Sequence, residues 1–208
     1  MIKELNLNSY DMFCFQCEQR AGDKGCTKFG VCGKSPEIAA LQDLLVYQLK
    51  GIGYLVEEVK KSGSQEASED LNRYVVDALF TTLTNVSFDQ EPIAALILKG
   101  NAIKENLIKV LGYREIHKAA AYKAPLAIDS MVEDAKAISI PALNAYEDIT
   151  SLRELLIYGL KGMAAYAHHA YVQGYENQEV YDFFYKGLAA TLNDTLGAEE
   201  WVALNMEL

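Results

Sequence analysis

Beyond Cys32 the sequence has no cysteine: all four, Cys14, Cys17, Cys26 and Cys32, fall within nineteen residues near the N-terminus. Thiol chemistry is therefore confined to one short segment. Basic charge is also scarce. The 19 Lys and Arg residues stand against 29 Asp and Glu, a net charge of −10 at pH 7, which argues against nucleic acid as a partner because phosphate binding needs a basic surface. No uninterrupted apolar stretch approaches the ~18 residues of a membrane span, so no membrane association is expected. Met1 to Asp11 mixes Lys3, Glu4 and several Asn with single Leu and Ile residues, without the apolar centre of a signal peptide. The expected location is cytoplasmic, where thiols are kept reduced, and this weighs against disulfides. No Ser/His/Asp set, phosphate loop or helical His-Glu zinc motif is present.

What is present reads as helix almost throughout. Half of the 208 residues are hydrophobic and 23% are charged, enough for a core without covalent staples. Ser35-Pro36-Glu37 is a helix start, with Ser at the N-cap and Pro at the first helical position. From there Ile38, Leu41, Leu44, Leu45, Leu49, Ile52 and Leu55 recur at helical spacing until the break at Lys61-Ser62-Gly63-Ser64. A second helix is expected from Ser68 to Val86, then shorter ones over Glu91–Lys99, Ala102–Leu111 and Ala127–Ala137, the last bounded by Pro125 and Pro141. Ser151-Leu152-Arg153-Glu154 reads as a capping box opening a long helix to about Ala170. Further helices are expected from Asn177 to Asp194 and from Ala198 onward.

The two halves repeat. Leu41-Gln-Asp-Leu-Leu-Val-Tyr47-Gln-Leu-Lys-Gly51 matches Leu152-Arg-Glu-Leu-Leu-Ile-Tyr158-Gly-Leu-Lys-Gly162 at a shift of 111 positions. Leu79 and Leu83 align with Leu188 and Leu192, and Glu91–Leu96 with Glu199–Leu204. The period far exceeds that of solenoid units; duplication of a two- or three-helix unit explains a collinear match with small gaps. The expected fold is all-α: an N-terminal segment, 1–35, carrying the four-cysteine loop, a first helical bundle over 36–140 and a second, truncated one over 141–208. Residues 36–208 count equally well as one α domain. The second copy stops four residues after Leu204, so the chain reads as ending within an element, as a fragment or separated domain would.

The cysteine segment reads C-x2-C-x8-C-x5-C, threaded with Gly22, Gly25, Gly30 and Gly33. Three readings stay open: a metal or iron–sulfur site, a disulfide knot, or inert buried thiols. Cys-x2-Cys lets two thiolates reach one centre, and glycines let backbone N–H groups approach sulfur. A four-thiolate zinc site is nearly as good a reading, although the second pair, opened to x5, leans toward a cluster. Phe13, Phe15 and Phe29 are placed to exclude water.

Met12-Phe-Cys-Phe-Gln-Cys17-Glu-Gln, Gly25-Cys-Thr-Lys, Gly30-Val-Cys-Gly-Lys34 and Leu152–Tyr166 resemble the N-terminal region of the hybrid-cluster (prismane) proteins, the hydroxylamine reductases, relatives of carbon monoxide dehydrogenase. The resemblance spans residues 12–204. It implies that Cys14, Cys17, Cys26 and Cys32 are the ligands of a [4Fe–4S] cluster. It implies an electron-transfer domain of an oxidoreductase acting on hydroxylamine or nitric oxide. In that family the catalytic hybrid iron–sulfur–oxygen cluster is held by Cys, His and Glu residues of two following α/β domains. With no cysteine after Cys32 this chain cannot build that cluster, so no catalytic residue is assigned and the chain alone is not expected to catalyse the reduction. The implied partners are those C-terminal α/β domains and an electron-donor protein. An apolar face left bare by the missing domains would favour self-association. The rival from another class is a non-redox helical interaction module whose loop holds zinc or is empty.

Other residues invite function less strongly. His168 and His169 are adjacent on a helix, point about 100° apart, and suit helix packing better than a shared ion. His117, near a polar turn, is expected to be solvated. The thirteen tyrosines are most simply amphipathic core-edge residues.

Overall fold

A computed structural model describes residues 11–22, 25–63, 67–112, 114–139 and 147–208. Met1 to Tyr10 and Pro141 lie outside the described residues. Among the described residues eight helices follow the cysteine loop: α1 Pro36–Lys61, α2 Glu69–Thr81, α3 Gln90–Leu111, α4 Lys118–Ala121, α5 Ile128–Ala135, α6 Glu147–Val172, α7 Gln178–Ala190 and α8 Ala198–Glu207. The described residues contain no strand beyond one isolated bridge. None of their helices is long and apolar enough to cross a membrane.

α1 begins where Ser35 accepts a hydrogen bond from the Ile38 amide and Pro36 takes the first helical position. Its apolar stripe is buried throughout. α2, α3, α4, α5 and α7 all pack on α1, while α6 packs on α2, α7 and α8. One hydrophobic core joins residues of both halves, among them Leu45, Leu49, Val75, Leu79, Leu156, Leu160, Phe184 and Trp201.

Several boundaries differ from the sequence expectation, and three of them have a clear local reason. α2 ends at Thr81 rather than Val86, because Thr82 turns back its hydroxyl to the Leu79 carbonyl at 2.8 Å and Asn85 takes a positive φ of 62°. The two short helices around Gly100 are one, α3. A Cβ at Gly100 would lie 2.9 Å from the Tyr74 hydroxyl, which donates to the Leu96 carbonyl at 2.8 Å; the glycine makes room for a neighbour and breaks nothing. α6 is already helical at Glu147, so Ser151 lies inside it and caps nothing.

α1 and α6 are each 26 residues long, α2 and α7 each 13. Thr82 and Thr191, 109 positions apart, occupy the C-caps of α2 and α7 and donate to Leu79 and Leu188 at 2.8 and 2.7 Å.

Candidate functional site

The cysteine loop is a small two-sided ribbon set against the start of α1. Cys14 and Cys26 face each other as a hydrogen-bonded antiparallel pair, with N–H···O distances of 3.0 and 2.8 Å, which holds two thiols opposite one another. Gly25 has φ of 143°, and a Cβ there would sit 2.9 Å from the Cys14 carbonyl oxygen; only glycine permits that approach. The loop closes again between Gly30 and Lys34, whose backbone groups pair at 2.8 Å, leaving Cys32 in the turn. A Cβ at Gly30 would lie 3.2 Å from Cys32 Sγ and 3.0 Å from Lys34 Cβ. Met12, Cys26 and Ala39 are buried together and anchor the ribbon to α1.

All four cysteines are free thiols; Cys26 is buried and the others half-buried. The Ala21 amide donates to Cys26 Sγ at 3.3 Å, the type of N–H···S contact that stabilises a thiolate ligand. Phe13 and Phe15 pack at 5.6 Å between ring centroids. Phe29 is 56% exposed and so presents most of its ring to solvent, not to the cysteines. Among the described residues no three His, Cys, Asp or Glu side chains converge as they would on a single metal ion.

Charged residues the sequence reading passed over surround this loop. Lys34 is almost fully buried, 2% exposed, with its ammonium 2.6 Å from Gln42 Oε1 and 4.0 Å from Cys14 Sγ. Gln42 in turn donates to the Ser87 carbonyl at 3.0 Å. A cavity of about 60 Å³ separates the loop from α1 and α6. Its wall includes Phe13, Cys14, Phe15 and Gln16 of the loop, Asp43, Val46 and Lys50 of α1, and Glu154, Ile157 and Lys161 of α6. The helix residues are repeat partners: Asp43 with Glu154, Val46 with Ile157, Lys50 with Lys161, each 111 positions apart. The signal that could have found them was therefore in the sequence, as charges matched in both copies within the two apolar helices.

Burial works on these charges. It pushes the Asp43 carboxyl up to about 7 despite the opposing pull of Lys161, Lys34 and Lys50. It lowers Lys161 to about 8 and also lowers Lys50, against the carboxylates of Asp43 and Glu154. Lys161 is buried and donates to the Thr82 carbonyl at 3.5 Å.

The histidines lie elsewhere. His168 Nδ1 is 2.8 Å from Asp77 Oδ1, which also accepts a hydrogen bond from the Tyr171 hydroxyl, so this cluster ties α6 to α2. His117 is the N-cap of α4, its Nδ1 accepting from the Ala119 amide at 3.1 Å. It is half-buried, not simply solvated.

A sequence model described as the Prismane/CO dehydrogenase family matches residues 12–208. The chain belongs to that family. Among its prismane relatives is a "Hydroxylamine reductase" of Acetivibrio thermocellus, 43% identical over 198 residues. Proteins of the same name from Desulfitobacterium hafniense (strain DSM 10664 / DCB-2) and Clostridium novyi (strain NT) are 43% and 41% identical over 202 and 201 residues. The alignments cover 94% of this prismane chain but only 35–36% of each of those relatives. The chain thus spans about a third of the length of the curated relatives it matches.

Proposed function

We propose that this chain is the helical, [4Fe–4S]-binding electron-transfer portion of a hydroxylamine reductase of the hybrid-cluster type. The observation that carries the reading is the cysteine loop itself: four free thiols on one glycine-dependent ribbon, with a buried ammonium beside Cys14. A thiolate-ligated cluster is anionic, and such a charge fits a pocket that already holds an N–H···S contact and a lysine. Cys14, Cys17, Cys26 and Cys32 would be its ligands. When bound, the cluster supplies one-electron transfer, and the protein sets its potential through burial and hydrogen bonds.

The chain's own residues orient and shield. The Cys14–Cys26 pair fixes two ligands, Gly25 and Gly30 admit the close backbone approaches, and Phe13 and Phe15 help wall off the cavity side. Reduction of hydroxylamine or nitric oxide would take place in following α/β domains, with electrons from a donor protein. The stripe of Leu155, Tyr158 and Tyr166 on α6, all exposed, suits such a domain contact, and self-association where that domain is missing. A cytoplasmic location accords with the free thiols.

Anaerobic purification, followed by iron and acid-labile sulfide analysis, tests the assignment. The expected result is about four irons and four sulfides per chain, with broad visible absorption that dithionite bleaches. A protein that holds only zinc, or nothing, after anaerobic reconstitution would overturn the reading in favour of a non-redox helical module.

A further inference from the structure

A buried ammonium ordinarily has a carboxylate against it, because an unpaired charge removed from water is costly. Lys34 lacks one. Among the described residues no carboxylate lies within 4.0 Å of its Nζ, and its two partners are the neutral Gln42 Oε1 and the Cys14 sulfur. Asp43 interacts with it only at longer range. Lys34 is buried with its ammonium 4.0 Å from Cys14 Sγ, so a negative charge on the cysteine loop would compensate it at shorter range than Asp43 does.

We infer that Lys34 is the fixed counter-charge of the thiolate loop, and that it raises the reduction potential of the centre held there by favouring the form carrying one more electron. This rests on the iron–sulfur reading above and adds to it a residue outside the ligand set. When a one-electron donor reduces the centre, the negative charge bounded by the four cysteines grows by one. The Lys34 ammonium stabilises that extra charge at short range in a water-poor site. No proton and no bond change is required of the lysine. Gln42 positions it: the amide oxygen holds the ammonium at 2.6 Å, while the amide nitrogen is fixed on the Ser87 carbonyl at 3.0 Å. α1 starts at Pro36, four residues after Cys32, and its N-terminal dipole would add a contribution of the same sign.

The test is an anaerobic redox titration of the reconstituted 208-residue chain, followed by EPR and visible absorption. Lys34→Gln removes the charge, Lys34→Arg keeps it, and Gln42→Glu keeps the lysine but sets a carboxylate against it. At the wild-type midpoint, Lys34→Gln and Gln42→Glu should each show a ratio of reduced to oxidised centre at least tenfold smaller. For a one-electron couple this is a midpoint about 59 mV lower. Lys34→Arg should stay within a factor of three. Should Lys34→Gln fail to fold or to hold a cluster, Gln42→Glu decides, since the lysine stem remains in place. A midpoint unmoved in Gln42→Glu overturns this inference and leaves the cluster assignment standing. A wild-type chain that binds no iron and sulfide overturns both.

Discussion

At the scale of single residues the chain holds two glycines that look alike and should behave in opposite ways. Gly51 and Gly162 both end a Leu-Lys-Gly triplet at matching places in the repeat. A Cβ at Gly51 would run into the Ala119 carbonyl and lie 2.8 Å from its carbon, whereas nothing stands within 4 Å of one at Gly162. Gly51→Ala must push α4 away from α1 and should cost about 1–3 kcal/mol, as overpacking does. Gly162→Ala removes the entropic cost of a mid-helix glycine and should stabilise by about 0.5–1 kcal/mol. Urea denaturation midpoints of the two variants, measured side by side under reducing conditions, check the contrast; equal shifts would contradict it. The difference is invisible in the sequence because it depends on α4, a four-residue helix with no periodicity to announce it. The cysteines were legible for the opposite reason: their chemistry is written in local spacing. Lys34 was not, since a lysine next to Gly33 reads as a surface residue until the fold closes over it and leaves it 2% exposed.

At the scale of elements, the long helices follow from their apolar period, and the misreadings cluster where a tertiary neighbour overrides a local signal. The sequence predicts a break between Lys99 and Ala102, yet Gly100 is a seat for Tyr74 within α3; Ser151 reads as a cap and lies within α6. The pairing of α1 with α6 across a cavity of charges is likewise a tertiary fact, and it makes a prediction about pH. Asp43 of α1 is held at about 7 by burial, above its ordinary 3.8, while Lys34, Lys50 and Lys161 pull the other way and Glu154 pushes with the burial. A carboxyl with a raised folded pKa favours the native state when protonated. Its contribution is therefore fully present below about pH 4 and is lost as pH rises through about 7. Asp43→Asn imitates the protonated form and should flatten this dependence. Between pH 5 and 7.5 the wild-type chain should lose stability relative to Asp43→Asn, by on the order of 2 kcal/mol. Urea midpoints at both pH values measure it. A parallel pH dependence in the two proteins would mean that Asp43 is ionised and paired across this range.

For the whole molecule the question is whether the two repeated halves are two bundles in series or one interlocked body. The contacts that matter cross between them. α1 packs on α7, where Gly53 lets Leu188 Cβ come within 2.7 Å of the place a Cβ would occupy and Lys60 pairs with Asp182 at 2.7 Å. α6 packs on α2 through the His168–Asp77 contact, and Asn72 of α2 accepts from Tyr185 of α7 at 2.7 Å. Each long helix thus rests on the shorter helix of the other copy. Cutting after residue 140 would bare Leu156, Leu160, Phe184 and Leu188, all 0–1% exposed in the intact chain. At about 1.5–3 kcal/mol per side chain, that burial is worth about 6–12 kcal/mol, as much as the net stability of an ordinary domain. Neither piece should therefore unfold cooperatively alone, while residues 1–140 and 141–208 expressed together should copurify and recover the helical circular dichroism of the intact chain. A cooperative urea transition from residues 1–140 by themselves would show that the first half keeps a core of its own, and that the duplicated units stack without depending on each other.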